Sequence, residues 1–103
     1  MNRRPLIAAA LIALSSCAAV GPQVSDYCPH VTDMTMSFCN AYQAGVSKQT
    51  ALNVVAANTN SPVEARQFGL RIGNRTYDGL QSGKLSCDSL ISQNIVAEGC
   101  VAQ

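Results

Sequence analysis

The chain has 103 residues, 48% of them hydrophobic, only 13% charged and 5% aromatic, with a formal net charge of +1 at pH 7. Soluble domains usually carry about 25% charged residues, so polarity here rests on serine, threonine, asparagine and glutamine. The balance of charge excludes a basic footprint for nucleic acid and an acidic face for a basic partner, and five aromatics without a tryptophan make the core light.

Residues 1–16, MNRRPLIAAALIALSS, open on Arg3 and Arg4, continue through an apolar run from Leu6 to Leu14 and close on small residues. That order is the pattern of a bacterial signal peptide. The run of nine apolar residues is far shorter than the about 20 that a spanning helix needs. Pro5 follows the arginine pair and no aromatic stands beside it, so the pair reads as the basic start of an ordinary signal. At the end of the run, Leu14-Ser15-Ser16-Cys17 resembles the lipobox of bacterial lipoproteins. The resemblance implies cleavage before Cys17, diacylglycerol on its sulfur and a further acyl chain such as palmitate on the new amino group. Ala18 in the following position implies carriage to the outer membrane, periplasmic face. The competing reading takes Cys17-Ala18-Ala19 as a plain secretory cleavage site, which releases a soluble periplasmic protein.

Gly21 and Pro22 interrupt residues 18–27, which show little apolar periodicity and read as a tether reaching about 35 Å at full extension. With Cys17 they make a lipidated N-terminus over residues 17–27, ahead of a folded domain over 28–103. From Val31, the spacing of Val31, Met34, Phe38 and Tyr42 predicts a helix that faces them inward, with Thr32 or Asp33 as N-cap and Gly45 as stop. Ser47 caps a second helix from Lys48 to about Asn58, with Ala51, Leu52 and Val55 on one face. Ser61-Pro62-Val63-Glu64 has the composition of a capping box with proline in the first turn. The third helix that starts there turns Ala65, Phe68 and Ile72 inward and ends at Gly83, with Gly69, Gly73 and Asp78-Gly79 as points where it could bend or split. Ser86 caps a fourth helix carrying Leu90, Ile91 and Ile95, closed by Gly99. The expected fold is all-α: a small, disulfide-stapled bundle of about four short helices.

The five cysteines become four once Cys17 is set apart, which suits two disulfides in an oxidising compartment and a chain too short to rely on its core alone. Cys87 and Cys100 flank the fourth helix. Thirteen residues of continuous helix hold their α-carbons about 20 Å apart, well beyond the ~5.5 Å of a disulfide. A nested pairing, Cys39 with Cys87 and Cys28 with Cys100, fits helices one and four of an up-down bundle. The alternative, Cys28 with Cys39, requires residues 28–32 to fold back along helix one and the fourth helix to break.

The catalytic inventory is thin. His30 is the single histidine, and beside cysteines committed to disulfides it reads as exposed or capping rather than as a metal ligand. No C-x-x-C, G-x-S-x-G or phosphate-cradling glycine loop occurs, so no catalytic residue, metal or cofactor is expected. Asn74-Arg75-Thr76 matches a glycosylation sequon that carries no weight behind a bacterial export signal. Ala65, Gly69 and Gly73 form a small-residue stripe that permits close helix contact, either inside the bundle or across a groove or dimer seam. Arg71 and Arg75, one turn apart, are the candidate polar anchors of an interface.

The segment Cys28 to Val46, with ten residues between its cysteines and then Asn40-Ala41-Tyr42-Gln43-Ala44-Gly45-Val46, resembles the first helix of small periplasmic immunity proteins that neutralise type VI secretion amidase effectors. The resemblance covers about a fifth of the chain, and the C-terminal part departs from that family's cysteine and proline arrangement. It implies a helical, disulfide-stapled protein that plugs an enzyme's active site. The expected function is a non-catalytic outer-membrane lipoprotein that binds another envelope protein, of immunity, inhibitor or exclusion type. The alternatives are a structural envelope lipoprotein that self-associates through the small-residue stripe, or a soluble periplasmic protein. A small-molecule carrier ranks last, because a light core leaves little room for a pocket.

Overall fold

The computed structural model describes residues 25–100; the signal segment, Cys17 and the first part of the tether lie outside them, as do residues 101–103. The fold is all-α. A 3-10 helix over Ser25–His30 runs into α1 (Val31–Gln43), followed by α2 (Lys48–Ala56), α3 (Val63–Gln81) and α4 (Cys87–Ala97). No described helix is long and apolar enough to cross a membrane.

The helix ends follow local chemistry with two exceptions. Ser47 and Ser86 each accept a hydrogen bond from the backbone N–H three residues on, at 3.2 Å in both cases, and so start α2 and α4. Gly45, Gly83 and Gly99 hold positive φ at the ends of α1, α3 and α4, and they are the only described residues that do. At α4 this left-handed residue lets the Cys100 N–H reach back to the Ile95 carbonyl at 2.9 Å, which aims Cys100 toward the start of α1. The first exception is α1. Neither Thr32 nor Asp33 caps it; the N-cap is His30, with no side-chain bond, because the 3-10 helix feeds directly into it. The second is α3, whose N-cap is Pro62 rather than Ser61. The capping box does not form, and Arg66 takes over the loop by donating from one terminal nitrogen to the carbonyls of Asn58 (3.3 Å) and Ser61 (2.5 Å).

α3 lies at the centre and touches the other three helices, while α1 contacts both α3 and α4. It runs unbroken for 19 residues, because its glycines are filled by neighbours rather than bent. A Cβ on Gly73 would sit 2.6 Å from Phe38 and 2.7 Å from Leu52, and one on Gly69 would sit 2.9 Å from Val55. Around this axis Val31, Phe38, Ala51, Phe68, Ile72 and Tyr77 form the core. Phe38 and Tyr42 both meet the Tyr77 ring edge-on, and the Tyr77 hydroxyl, buried with the rest of the residue, donates to the Val46 carbonyl at 2.7 Å. Tyr42, expected inside, is 37% exposed at the end of α1, whereas Thr35, two turns earlier on the same face, is fully buried. Thr35, Thr76 and Asn94 are all fully buried, and the Asn94 amide donates to both hydroxyls at 2.8 and 3.1 Å.

Two disulfides tie α1 to α4 in the nested order. Cys39 joins Cys87 with α-carbons 6.2 Å apart, and Cys28 joins Cys100 at 5.5 Å. The later cysteine of α1's side meets the earlier one of α4's side, so the two helices run antiparallel and α4 stays whole. The first described helix begins at Ser25, three residues before Cys28. Tyr27, counted with the tether on sequence grounds, stacks on Phe68 with ring centroids 5.1 Å apart.

Candidate binding cleft

The 3-10 helix, the end of α2 and the start of α3 converge on a half-open cleft of about 360 Å³. Met34, Val55, Ala65, Phe68 and Tyr27 supply apolar surface, and His30, Val54, Asn58, Ser61 and Arg66 complete the lining. The Cys28–Cys100 bridge immediately follows Tyr27 in the chain, so the covalent staple that ends the bundle also fixes one wall of the cleft. Volume and composition match the small end of ligand pockets, which run from about 300 to 1,000 Å³ and combine an apolar body with a few polar groups. A core this light was expected to leave little room for a pocket. The cleft opens at the edge of the core: Phe68 belongs to the core, and Tyr27, Met34 and Val55, which pack against it, form the walls.

Its electrostatics are one-sided. No aspartate or glutamate lines it; the ionisable nitrogen groups are His30 and Arg66. Arg66 is held at a fixed angle by the two carbonyls bonded to one terminal nitrogen. A guanidinium has five N–H donors, and among the described residues those on the Nε and on the other terminal nitrogen of Arg66 reach no protein acceptor and no carboxylate.

The candidate interface residues have other occupations. Gly69 and Gly73 are buried against α1 and α2, so that part of the small-residue stripe is an internal seam, while Ala65 at its start lines the cleft. Arg71 and Arg75 both bind Glu98. Arg71 does so with two parallel bonds of 3.1 and 2.8 Å, and Arg75 adds a third. The Glu98 side chain is 4% exposed, while Arg71 keeps half of its surface in water. Burial pushes the Glu98 carboxyl up, but hydrogen bonding and charge from Arg71 and Arg75 outweigh that and hold it below its ordinary value; Arg71 is raised in turn by its bond to Glu98. The arginines are thus clamps on the end of α4, one residue before the turn that delivers Cys100. Asp78 pairs instead with Lys48, at 2.7 Å.

His30 is exposed at the cleft, as an exposed or capping reading required. Among the described residues no group of three or more His, Cys, Asp or Glu side chains could hold a metal ion. Sequence reasoning missed Tyr27, Met34 and Arg66 as site residues. The available signals were an aromatic directly before a disulfide cysteine and an arginine one turn into a helix whose loop carries unsatisfied carbonyls. Cys17 lies outside the described residues. No protein-family model, curated protein or solved structure matches the chain.

Proposed function

We propose that this protein is a non-catalytic binding module of the bacterial envelope, anchored to the periplasmic face of the outer membrane through lipid on Cys17, that engages another envelope protein with its cleft-bearing end. The observation that carries this reading is the exposure of apolar surface there. Val54, on the rim, is 69% exposed and Val63, at the start of α3, is 50% exposed, beside a concave apolar floor of the kind that receives anchor side chains in protein interfaces. The tether adds a geometric reason. Only seven residues lie between Cys17 and Ser25, eight steps of the chain with a reach of at most about 29 Å, so the 3-10 helix and the cleft beside it stay close to the membrane surface. An immunity, inhibitor or exclusion role is the form of binding that a small stapled bundle with a neutral surface serves best.

A photoreactive amino acid placed at Val54 in cells tests the reading, with Val96 on α4, 65% exposed, as the control position. One discrete protein adduct at Val54 that is absent at Val96 is expected. Loss of that adduct when Cys17→Ala moves the protein from the membrane to the soluble periplasm ties the contact to the anchor. No adduct at Val54, or the same set at both positions, overturns it.

A further inference from the structure

We propose that the cleft is also a binding site for a single-chain amphiphile with a carboxylate head, a medium-chain fatty acid anion. The chain lies on Met34, Val55 and Phe68, and the carboxylate meets the unused donors of Arg66. Three observations converge. The cleft's volume of about 360 Å³ accommodates one acyl chain and not the two of a phospholipid. Its lining is apolar apart from a few polar groups and contains no carboxylate, so a cationic head finds no partner there and an anionic one meets Arg66 and His30. The Arg66 guanidinium is already oriented by two backbone carbonyls, which leaves a free edge with the parallel donors that suit a carboxylate. Pre-orientation matters, because a side chain that is fixed before binding loses little entropy when it binds.

The occupant is small and anionic on charge grounds. An apolar groove alone takes any oily surface. A groove lined by the Arg66 guanidinium and by no carboxylate, with Arg66 itself in no ion pair among the described residues while Arg71, Arg75 and Lys48 are paired with carboxylates, selects an anion. The inference is independent of the protein-binding reading, since the adduct at Val54 and the amphiphile titration can succeed or fail separately.

The test uses the whole chain carrying Cys17→Ser, exported so that both disulfides form, and follows backbone amide shifts by NMR with dodecanoate, dodecanol and dodecylamine below their aggregation concentrations. Dodecanoate is expected to bind at least tenfold more tightly than the other two, with shifts confined to the cleft. Arg66→Gln, which keeps a donor for the loop carbonyls and removes the charge, should erase that preference. Ala65→Leu fills the floor and should weaken both dodecanoate and dodecanol at least tenfold. Retained helical dichroism and an intact disulfide count by mass spectrometry qualify each variant. If Ala65→Leu does not fold, the comparison of probes on the parent chain and on Arg66→Gln still decides. Equal affinity for dodecanoate and dodecanol, tighter binding of dodecylamine, shifts spread away from the cleft, or no binding of dodecanoate overturns the proposal.

Discussion

Glu98 and its two arginines can be dismantled from either side, and the two routes should not cost the same. The Glu98 side chain is 4% exposed, whereas Arg71 and Arg75 are 51% and 31% exposed. Glu98→Gln removes the charge, and the arginines turn back to water. The loss is that of charge-assisted hydrogen bonds, about 1–2 kcal/mol. Arg71→Met with Arg75→Met keeps the aliphatic stems, gives up the Arg71 guanidinium that lies 6.0 Å from the Phe68 ring centroid, and strands a buried carboxylate at the C-terminal end of α4. There the helix dipole opposes negative charge, and an orphaned buried charge costs about 3–5 kcal/mol. Urea unfolding of the oxidised proteins measures both; urea is preferred because guanidinium salt would screen the pair. The carboxyl is held below its ordinary value in the folded state, so its contribution is complete above the unfolded-state pKa, about 4.3, and fades as pH drops through the folded value. Acid should therefore narrow the gap between the parent and Glu98→Gln, and also relieve the arginine-deleted variant as Glu98 protonates. A Glu98→Gln loss equal to or larger than that of the double arginine variant refutes the reasoning.

Gly73→Ala should lower stability by about 1–2 kcal/mol in thermal melts, because the clash with Phe38 and Leu52 costs more than the roughly 1 kcal/mol that alanine gains in a helix interior. Tyr77→Phe removes the bond to the Val46 carbonyl and should cost about 1 kcal/mol by urea unfolding. Asn94→Leu alone leaves two buried hydroxyls without their donor and should cost about 1–3 kcal/mol. Combining it with Thr35→Val and Thr76→Val should recover most of that loss by denaturant titration, since the Asn94 carbonyl oxygen has no partner even in the parent. Removing the outer bridge with Cys28→Ala and Cys100→Ala opens a loop that the inner bridge has already shortened. Sequence separations of 72 and 48 leave 72 − 48 = 24 residues for the outer one to close, worth about 3 kcal/mol. Amide exchange should then rise in residues 25–30 while α3 stays protected.

Helices, their stops and the disulfide order were legible because each rests on contacts between near neighbours. Ser47 and Ser86 cap through bonds three residues long, the three left-handed glycines end the helices they follow, and rigid helical rise alone separates Cys87 from Cys100. Ser61-Pro62-Val63-Glu64 misled for a specific reason. Pro62 itself takes the extended backbone of an N-cap (φ −59°, ψ 155°), so the first helical residue is Val63 and Ser61 stands one residue too early to accept from the first turn's N–H groups. The polar interior was illegible as well. Thr35, Thr76 and Asn94 sit on faces that periodicity assigns to the core, but only their meeting, 59 residues apart between Thr35 and Asn94, turns three unremarkable polar residues into one buried cluster.

Sequence by itself determined the all-α class and the lack of any strong local motif for catalysis, and favoured the nested bridges over the Cys28–Cys39 alternative, all consequences of spacing along a chain of known rise. Tertiary structure alone decided which surfaces are free. It packed Gly69 and Gly73 between helices and set Arg71 and Arg75, the other residues that looked most like an interface, on Glu98. It opened a cleft instead among Tyr27, Met34 and Arg66, which no spacing connects, because a concave surface belongs to the gap between elements and is written in none of them singly.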